Sequence, residues 1–323
     1  MAKSMFAVVC LSGVVTTSAL AQDFPTRPVS LMMPYAAGGP GDTITRVVGQ
    51  GMSKVLGQQF VIENTAGAGG TIGTAKVATS APDGYSLLVM HVGHAANTAL
   101  YRNLRYDAID DFAPIGLIAE SPMAFVAKKA FPADSFKELI DDVKAHRGIV
   151  TYGHAGIGSA SHLCGLLFFS AIDTTVTNIP YKGTAPALAD LMGGQFDFMC
   201  DQTVNVFKPV TAGLIKAYAV TTKTRLAVLP DLPTADEAGL PGFAFTNWFA
   251  MYAPKGTPQP VVDRLSAALQ EALRDPDLKA KLAATGAETV APERARPEIL
   301  QAVLKAEIDK WVPIIRKAGV YAD

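Results

Sequence analysis

A short apolar strand, a glycine-rich loop and an amphipathic helix follow one another repeatedly in this chain, and that order admits few folds. Val29, Leu31, Met32 and Met33 mark a first strand, and residues 34–41 form a loop rich in glycine. Ile44, Val47, Val48, Met52 and Val55 then recur at helical spacing, which predicts a helix over 43–56 with Asp42 as its N-cap. Residues 60–63 read as a second strand, 67–70 as a second glycine loop and 71–79 as a helix. A Pro82-Asp83-Gly84 turn leads into a third strand over 85–90. This is a βαβαβ unit, with parallel strands and right-handed crossovers.

A second such unit follows. Residues 113–119 and 123–126 read as two strands, and 135–145 as a helix opened by a Ser135/Glu138 capping box. Strands at 149–152, 177–180 and 196–200 alternate with helices at 159–169 and 184–192, and 214–220 is one more strand. Beyond Pro230 the alternation stops. A short loop and helix at 232–240, a strand at 248–253 and helices at 260–273, 278–285 and 297–318 have no unit of their own, so they are expected to pack back on the first domain. The expected architecture is α/β with two domains: 22–122 with 247–323, and 123–246, the chain crossing between them at least twice. Ligands of such folds sit at the carboxyl ends of the strands and between domains.

The first 21 residues stand apart. Lys3 is a positive start, residues 5–15 are an apolar run, and Ala19-Leu20-Ala21 is the small-x-small pattern of a signal-peptidase site, so cleavage is expected after Ala21. Cys10 sits inside the apolar run, not at its end, which argues against a lipoprotein. No later apolar run reaches membrane-spanning length. The whole chain carries a formal net charge of −1 and no block of like charge, which argues against nucleic-acid binding. Cys164 and Cys200 remain after cleavage. Export makes a disulfide chemically possible. Their apolar surroundings favour two buried free thiols, and spacing does not show whether the sulfurs meet.

Several stretches, in order over nearly the whole mature chain, carry a family resemblance. They include Pro34-Tyr35-Ala36-Ala37-Gly38-Gly39-Pro40-Gly41-Asp42, Ala81-Pro82-Asp83-Gly84-Tyr85, Gly156-Ile157-Gly158-Ser159-Ala160-Ser161-His162-Leu163, Pro180-Tyr181-Lys182-Gly183 and Ala253-Pro254-Lys255-Gly256-Thr257-Pro258. The chain resembles the solute receptors of tripartite tricarboxylate transporters, the TctC or Bug group. The resemblance implies a two-domain periplasmic binding protein of the type II-like kind. It would work as a monomer, close over one small carboxylate, mono- or dicarboxylate, aliphatic or aromatic, and deliver it to an integral membrane permease. A receptor that presents its ligand to a sensor kinase is the alternative.

A buried carboxylate needs donors in place of water, and helix N-termini supply them. Two loops suit this. One spans 38–43; the other spans 156–161 and adds the hydroxyls of Ser159 and Ser161. The resemblance puts Gly38, Gly39, Gly158, Ser159 and Ser161 at the ligand. Asp42 reads first as a cap and otherwise as a holder of water or of a ligand hydroxyl. Tyr35 reads as a ligand contact or a core aromatic. Tyr181, Thr184 and Asp201 lie at strand ends or helix starts and so at the cleft edge, and Lys182 reads as a surface lysine. His91 and His94 are spaced H-x-x-H without a third ligand, so no metal site is expected. The resemblance keeps His94 and Asn97 as candidates. His162 is expected to fix its loop, and His146 to lie on the surface. No nucleotide fingerprint, phosphate loop or G-x-S-x-G nucleophile motif occurs. No catalytic residue and no cofactor is expected.

Overall fold

The computed structural model describes residues 24–322; the expected signal peptide and its cleavage site lie outside them. In the first half of the sheet, β1 (Val29–Met33) lies between β2 (Phe60–Asn64) and β3 (Ser86–His91), all parallel. Helices α1 (Pro40–Leu56) and α2 (Thr71–Ala78) make the crossovers. α3 (Gly93–Leu100) follows β3 directly and was not expected.

β4 (Phe112–Lys128) is one strand of 17 residues where the sequence predicted two. Its first part pairs antiparallel with β9 (Thr246–Pro254), ending at Pro122 opposite Thr246. From Met123 it pairs instead with β7 (Phe198–Gln202) and, from Ala124, with β8 (Ile215–Val220). The strand thus leaves one half of the sheet and enters the other at Pro122, whose lack of an N–H suits an exchange of partners. β5 (Thr151–His154) pairs parallel with β6 (Thr177–Pro180) and with β7. The strand order is β2-β1-β3-β9-β4-β7-β5-β6, giving a two-lobed α/β fold.

In the second half α4 (Phe136–Ala145), α5 (Ala160–Ala171), α6 (Thr184–Met192) and α7 (Thr203–Thr211) cover the strands. Phe125 of β4 packs its ring 4.7 Å from Phe168 of α5 and 4.9 Å from Phe136 of α4. Such pairs add about 0.5–1.5 kcal/mol each to their area burial. The C-terminal helices pack as expected on the first half: α8 (Gln259–Ala272) on α1 and β4, and α10 (Pro297–Ala318) on α3 and β4. α9 (Pro276–Ala283) also touches α1, and the two-residue β10 (Glu288–Thr289) pairs with β4. No helix among the described residues is long and apolar enough to cross a membrane.

Three further expectations change. Residues 232–240 form turns, not a helix. Asp42 is not the N-cap of α1; Pro40 starts the helix earlier, with Gly39 as cap. Cys164 and Cys200 are not free thiols: they form a disulfide that ties α5 to β7, with Cα atoms 6.1 Å apart. The apolar surroundings were read rightly, since both residues are fully buried. The error was to treat burial as an argument against the bridge, because α5 lies on β7 and brings the two positions together.

Candidate functional site

A narrow cavity opens where the carboxyl ends of β1, β3, β5 and β7 meet, and four helices begin at its wall. Pro40, Gly41 and Asp42 from the first turn of α1 line it, as do Ala160 and Ser161 of α5 and Thr184 of α6. Gln202, the N-cap of α7, completes the set. The first N–H groups of a helix have no partner within it, and its dipole places partial positive charge there. Converging helix starts therefore make the cavity receptive to an anion without a cationic side chain. None of the lining residues is lysine or arginine.

The first loop is fixed by Asp42. Its Oδ2 accepts hydrogen bonds from the Gly38 N–H and from Arg46 Nε, both at 2.9 Å. Burial works to raise the Asp42 pKa, but the bonds from Arg46, Gly38 and Asn64 outweigh it and hold the carboxyl below its ordinary range. Its Oδ1 is buried without a partner. Gly38 lies at φ +81°, where a side chain would be strained. The loop touches the opposite half: a Cβ on Gly39 would lie 3.3 Å from Thr184 Oγ1. Tyr35 is half-buried, donates its hydroxyl to the Gly69 carbonyl at 2.8 Å and tilts against the His91 ring. Burial raises its pKa well above the ordinary phenol value.

The second loop holds itself with hydroxyls and imidazoles. Ser159 caps α5 by accepting from the His162 N–H at 3.2 Å. Ser161 Oγ accepts from the Ala155 N–H at 2.9 Å and shares a hydrogen bond with Ser159 Oγ at 3.1 Å. His154 and His162 each accept through Nδ1 from a loop glycine, Gly156 at 3.2 Å and Gly158 at 3.4 Å. Burial lowers their pKa values to about 4 and about 3, so both are neutral acceptors near pH 7. His162 thus does the loop-fixing expected of it.

An outer chamber of about 220 Å³ adjoins the cavity, sharing Tyr35 and Ala155 with it. Gly67, Gly69, Tyr101, Ile157, Tyr181 and Lys182 are among its walls. Tyr181 packs its ring 5.7 Å from that of Phe196 and donates its hydroxyl to Asp190 Oδ2 at 2.8 Å. Burial and the Asp190 carboxylate raise its pKa to about 12.

Of the sequence candidates, Tyr35, Gly39, Asp42, Ser159, Ser161, Thr184 and Asp201 line the inner cavity. Gly38 and Gly158 shape the loops behind it without lining it, and Tyr181 belongs to the outer chamber. His94 is not brought to either. It is fully buried, bonded through Nε2 to the Ala108 carbonyl at 3.0 Å and enclosed by Tyr106, Phe112 and Tyr252. Helix α3 turns it away from the cleft. Sequence reasoning left out Gln202 and Phe249 and did not rank His91 as a contact, though all three line the cavity. His91 and Gln202 each sit at the C-terminal end of a strand, which was the available signal. Among the described residues no group of three or more His, Cys, Asp or Glu side chains forms a metal site.

This two-lobed α/β architecture, with a cleft walled by helix starts, defines a solute-binding receptor. The family model described as "Tripartite tricarboxylate transporter family receptor" matches residues 44–320, and the chain belongs to that family. It is therefore a periplasmic solute-binding receptor and not an enzyme. A UPF0065 protein from the TAR-I ttuE-ttuC' intergenic region of Agrobacterium vitis is 47% identical over 97% of this chain and 91% of its own length. The structure of the periplasmic binding protein BugD superposes with a TM-score of 0.89 at 47% identity, covering 92% of this chain and 99% of BugD. MatC from Rhodopseudomonas palustris, solved with bound malate, gives 0.87 at 41% identity, covering 90% of this chain and 100% of MatC.

Proposed function

We propose that this receptor captures a small mono- or dicarboxylate, aliphatic or aromatic, in the cavity between its lobes and delivers it to an integral membrane permease. The convergence of four helix N-termini on one cavity carries this reading, and malate in the MatC structure supports it. The site comprises Tyr35, Gly39, Asp42, Ser159, Ser161, Thr184 and Asp201, with Gly38 and Gly158 setting the loops and Tyr181 at the outer end. The lobes are 22–122 with 247–323, and 123–246. The change of β4 partners at Pro122/Met123 and the start of β9 at Thr246 support this division. The mature protein begins after Ala21 and acts as a monomer. A thermal-shift screen against carboxylates tests the assignment, because a ligand that binds only the folded state raises the melting temperature by mass action. At least one small carboxylate is expected to shift it in a concentration-dependent way. A panel without any shift, including malate, succinate, adipate, citrate and benzoate, would overturn the reading.

The serines give a second test. Replacing both Ser159 and Ser161 by alanine removes the cap of α5 and the bond that holds the Ala155 N–H. It also removes two hydroxyls from the cavity wall, each worth about 1.5–3 kcal/mol if it bonds a charged group. Calorimetric affinity is expected to fall at least about tenfold. Equal affinity in the double variant would remove the serines from the site.

A further inference from the structure

We propose that Asp201 holds the bound carboxylate as a carboxylic acid, so that ligand capture takes up a proton. This deepens the carboxylate reading above and rests on it.

Asp201 ends β7 and is fully buried at the cavity wall. Its Oδ2 accepts from Asn205 Nδ2 at 2.6 Å, while Oδ1 is buried with no partner. No cation is supplied. Ser159 and Ser161 of α5 are neutral, as is Tyr152 of β5, whose hydroxyl donates to the Ser161 carbonyl. Residue 124 of β4, directly opposite, is alanine, and Asn205 is the partner from α7. Across the cavity stand Tyr35, His91 and Asp42. Burial keeps the His91 imidazole neutral near pH 7. Asp42 is a carboxylate whose Oδ2 is ion-paired with Arg46 and bonded by the Gly38 N–H, while its Oδ1 has no partner, so it offers an anion no donor. A ligand carboxylate entering this cavity would meet an uncompensated anion if Asp201 were ionised, beside the Asp42–Arg46 ion pair. Like charges in one site drive a proton onto one member, and the protonated oxygen then donates to the other. The unpartnered Oδ1 is the oxygen left free to do so.

Burial has already moved Asp201 part of the way, raising its pKa from 3.8 to about 7 in the free receptor against the bonds from Asn205 and Gln202. An anion beside it raises the pKa further. The sign follows: affinity is level below about pH 7, where the acid is already formed. It falls above pH 7, towards tenfold per pH unit, as the proton must come from the buffer.

The probe is the tightest binder among malate, succinate, adipate, citrate and benzoate. It is titrated calorimetrically at pH 8 into the mature receptor, in phosphate and in Tris. The difference in observed heat is expected to give close to one proton taken up per ligand bound. Affinity is expected to fall by about tenfold between pH 8 and 9. In Asp201→Asn both the uptake and the pH dependence should vanish. Proton release, no proton exchange, or a pH profile unchanged in Asp201→Asn would each overturn the proposal while leaving carboxylate capture standing. Release would show instead that Asp201 is ionised in the complex. Failure of every probe to bind removes the carboxylate reading, and this inference with it.

Discussion

Replacing Cys164 and Cys200 together by alanine is expected to lower the unfolding free energy by about 4 kcal/mol. The bridge closes a loop with a sequence separation of 36 between α5 and β7. The chain-entropy relation for a loop of this length gives roughly 4 kcal/mol, because the cross-link removes open conformations from the unfolded chain. Both sulfurs are buried, so truncation to alanine also loses packing. The effect is expected to centre on the second half of the sheet. There Tyr152 links the same two elements, donating to the Ser161 carbonyl at 2.6 Å and accepting from the Cys200 N–H at 3.2 Å. Gly165 makes room for that ring, since a Cβ there would lie 2.5 Å from it. Urea unfolding of the wild type and the double variant measures the change. A midpoint unchanged within error would show that hydrogen bonding and packing alone hold α5 on β7. Loss of the bridge should also weaken ligand binding, because Asp201 follows Cys200 and Ser161 lies one turn before Cys164.

The bridge also marks how far the sequence reaches. Strands with apolar runs and glycine loops were legible because their signals are local: an alternation of periods, and glycine where φ is positive. β1, β6, α6 and α10 lie where the pattern placed them. Features set by tertiary contact were not legible. The bridge needs α5 to lie on β7, which no spacing encodes. β4 read as two strands, 113–119 and 123–126, yet the chain stays extended through Ser121-Pro122 while its partners change. α7 contains Thr203, Val204, Val206 and an internal Pro209, weak helix formers held helical by their surroundings. In the site, residues next to helix starts were found. His94, kept on the resemblance, does not line the cleft, and its sequence position could not reveal which way helix α3 turns its side chains. The buried state of Asp201, on which the proton argument depends, came only from the fold.

Gly69→Ala is expected to reduce ligand affinity by one to two orders of magnitude while costing the free receptor much less. Gly69 sits at φ +59°, so alanine pays about 1 kcal/mol for the left-handed conformation whether or not ligand is bound. The larger effect lies between the lobes. A Cβ on Gly69 would overlap the Ile157 carbonyl oxygen and crowd the Tyr101 hydroxyl at 2.8 Å. Ile157 belongs to the loop that carries Ser159 and Ser161, so the overlap pushes that loop away from the cavity. The first obstacle is backbone, the Tyr101 hydroxyl is itself bonded to the Ile157 carbonyl at 3.3 Å, and the Gly69 carbonyl is held by Tyr35 and Asn97, at 2.8 and 3.1 Å. Relief must come from separating the two loops. Overpacking of this kind costs about 1–3 kcal/mol. When only the closed, liganded form bears it, the cost appears as lost affinity, up to about 150-fold at the upper end. Gly67→Ala is the control: it also has positive φ, but its Cβ meets only the Ile72 side chain of the same lobe. Calorimetry on the two variants, with small-angle scattering of each in the presence of ligand, separates the cases. Gly69→Ala alone should bind weakly and remain expanded. Equal losses in both variants would assign the effect to local strain, and an unchanged Gly69→Ala would show that closure does not require these loops to touch.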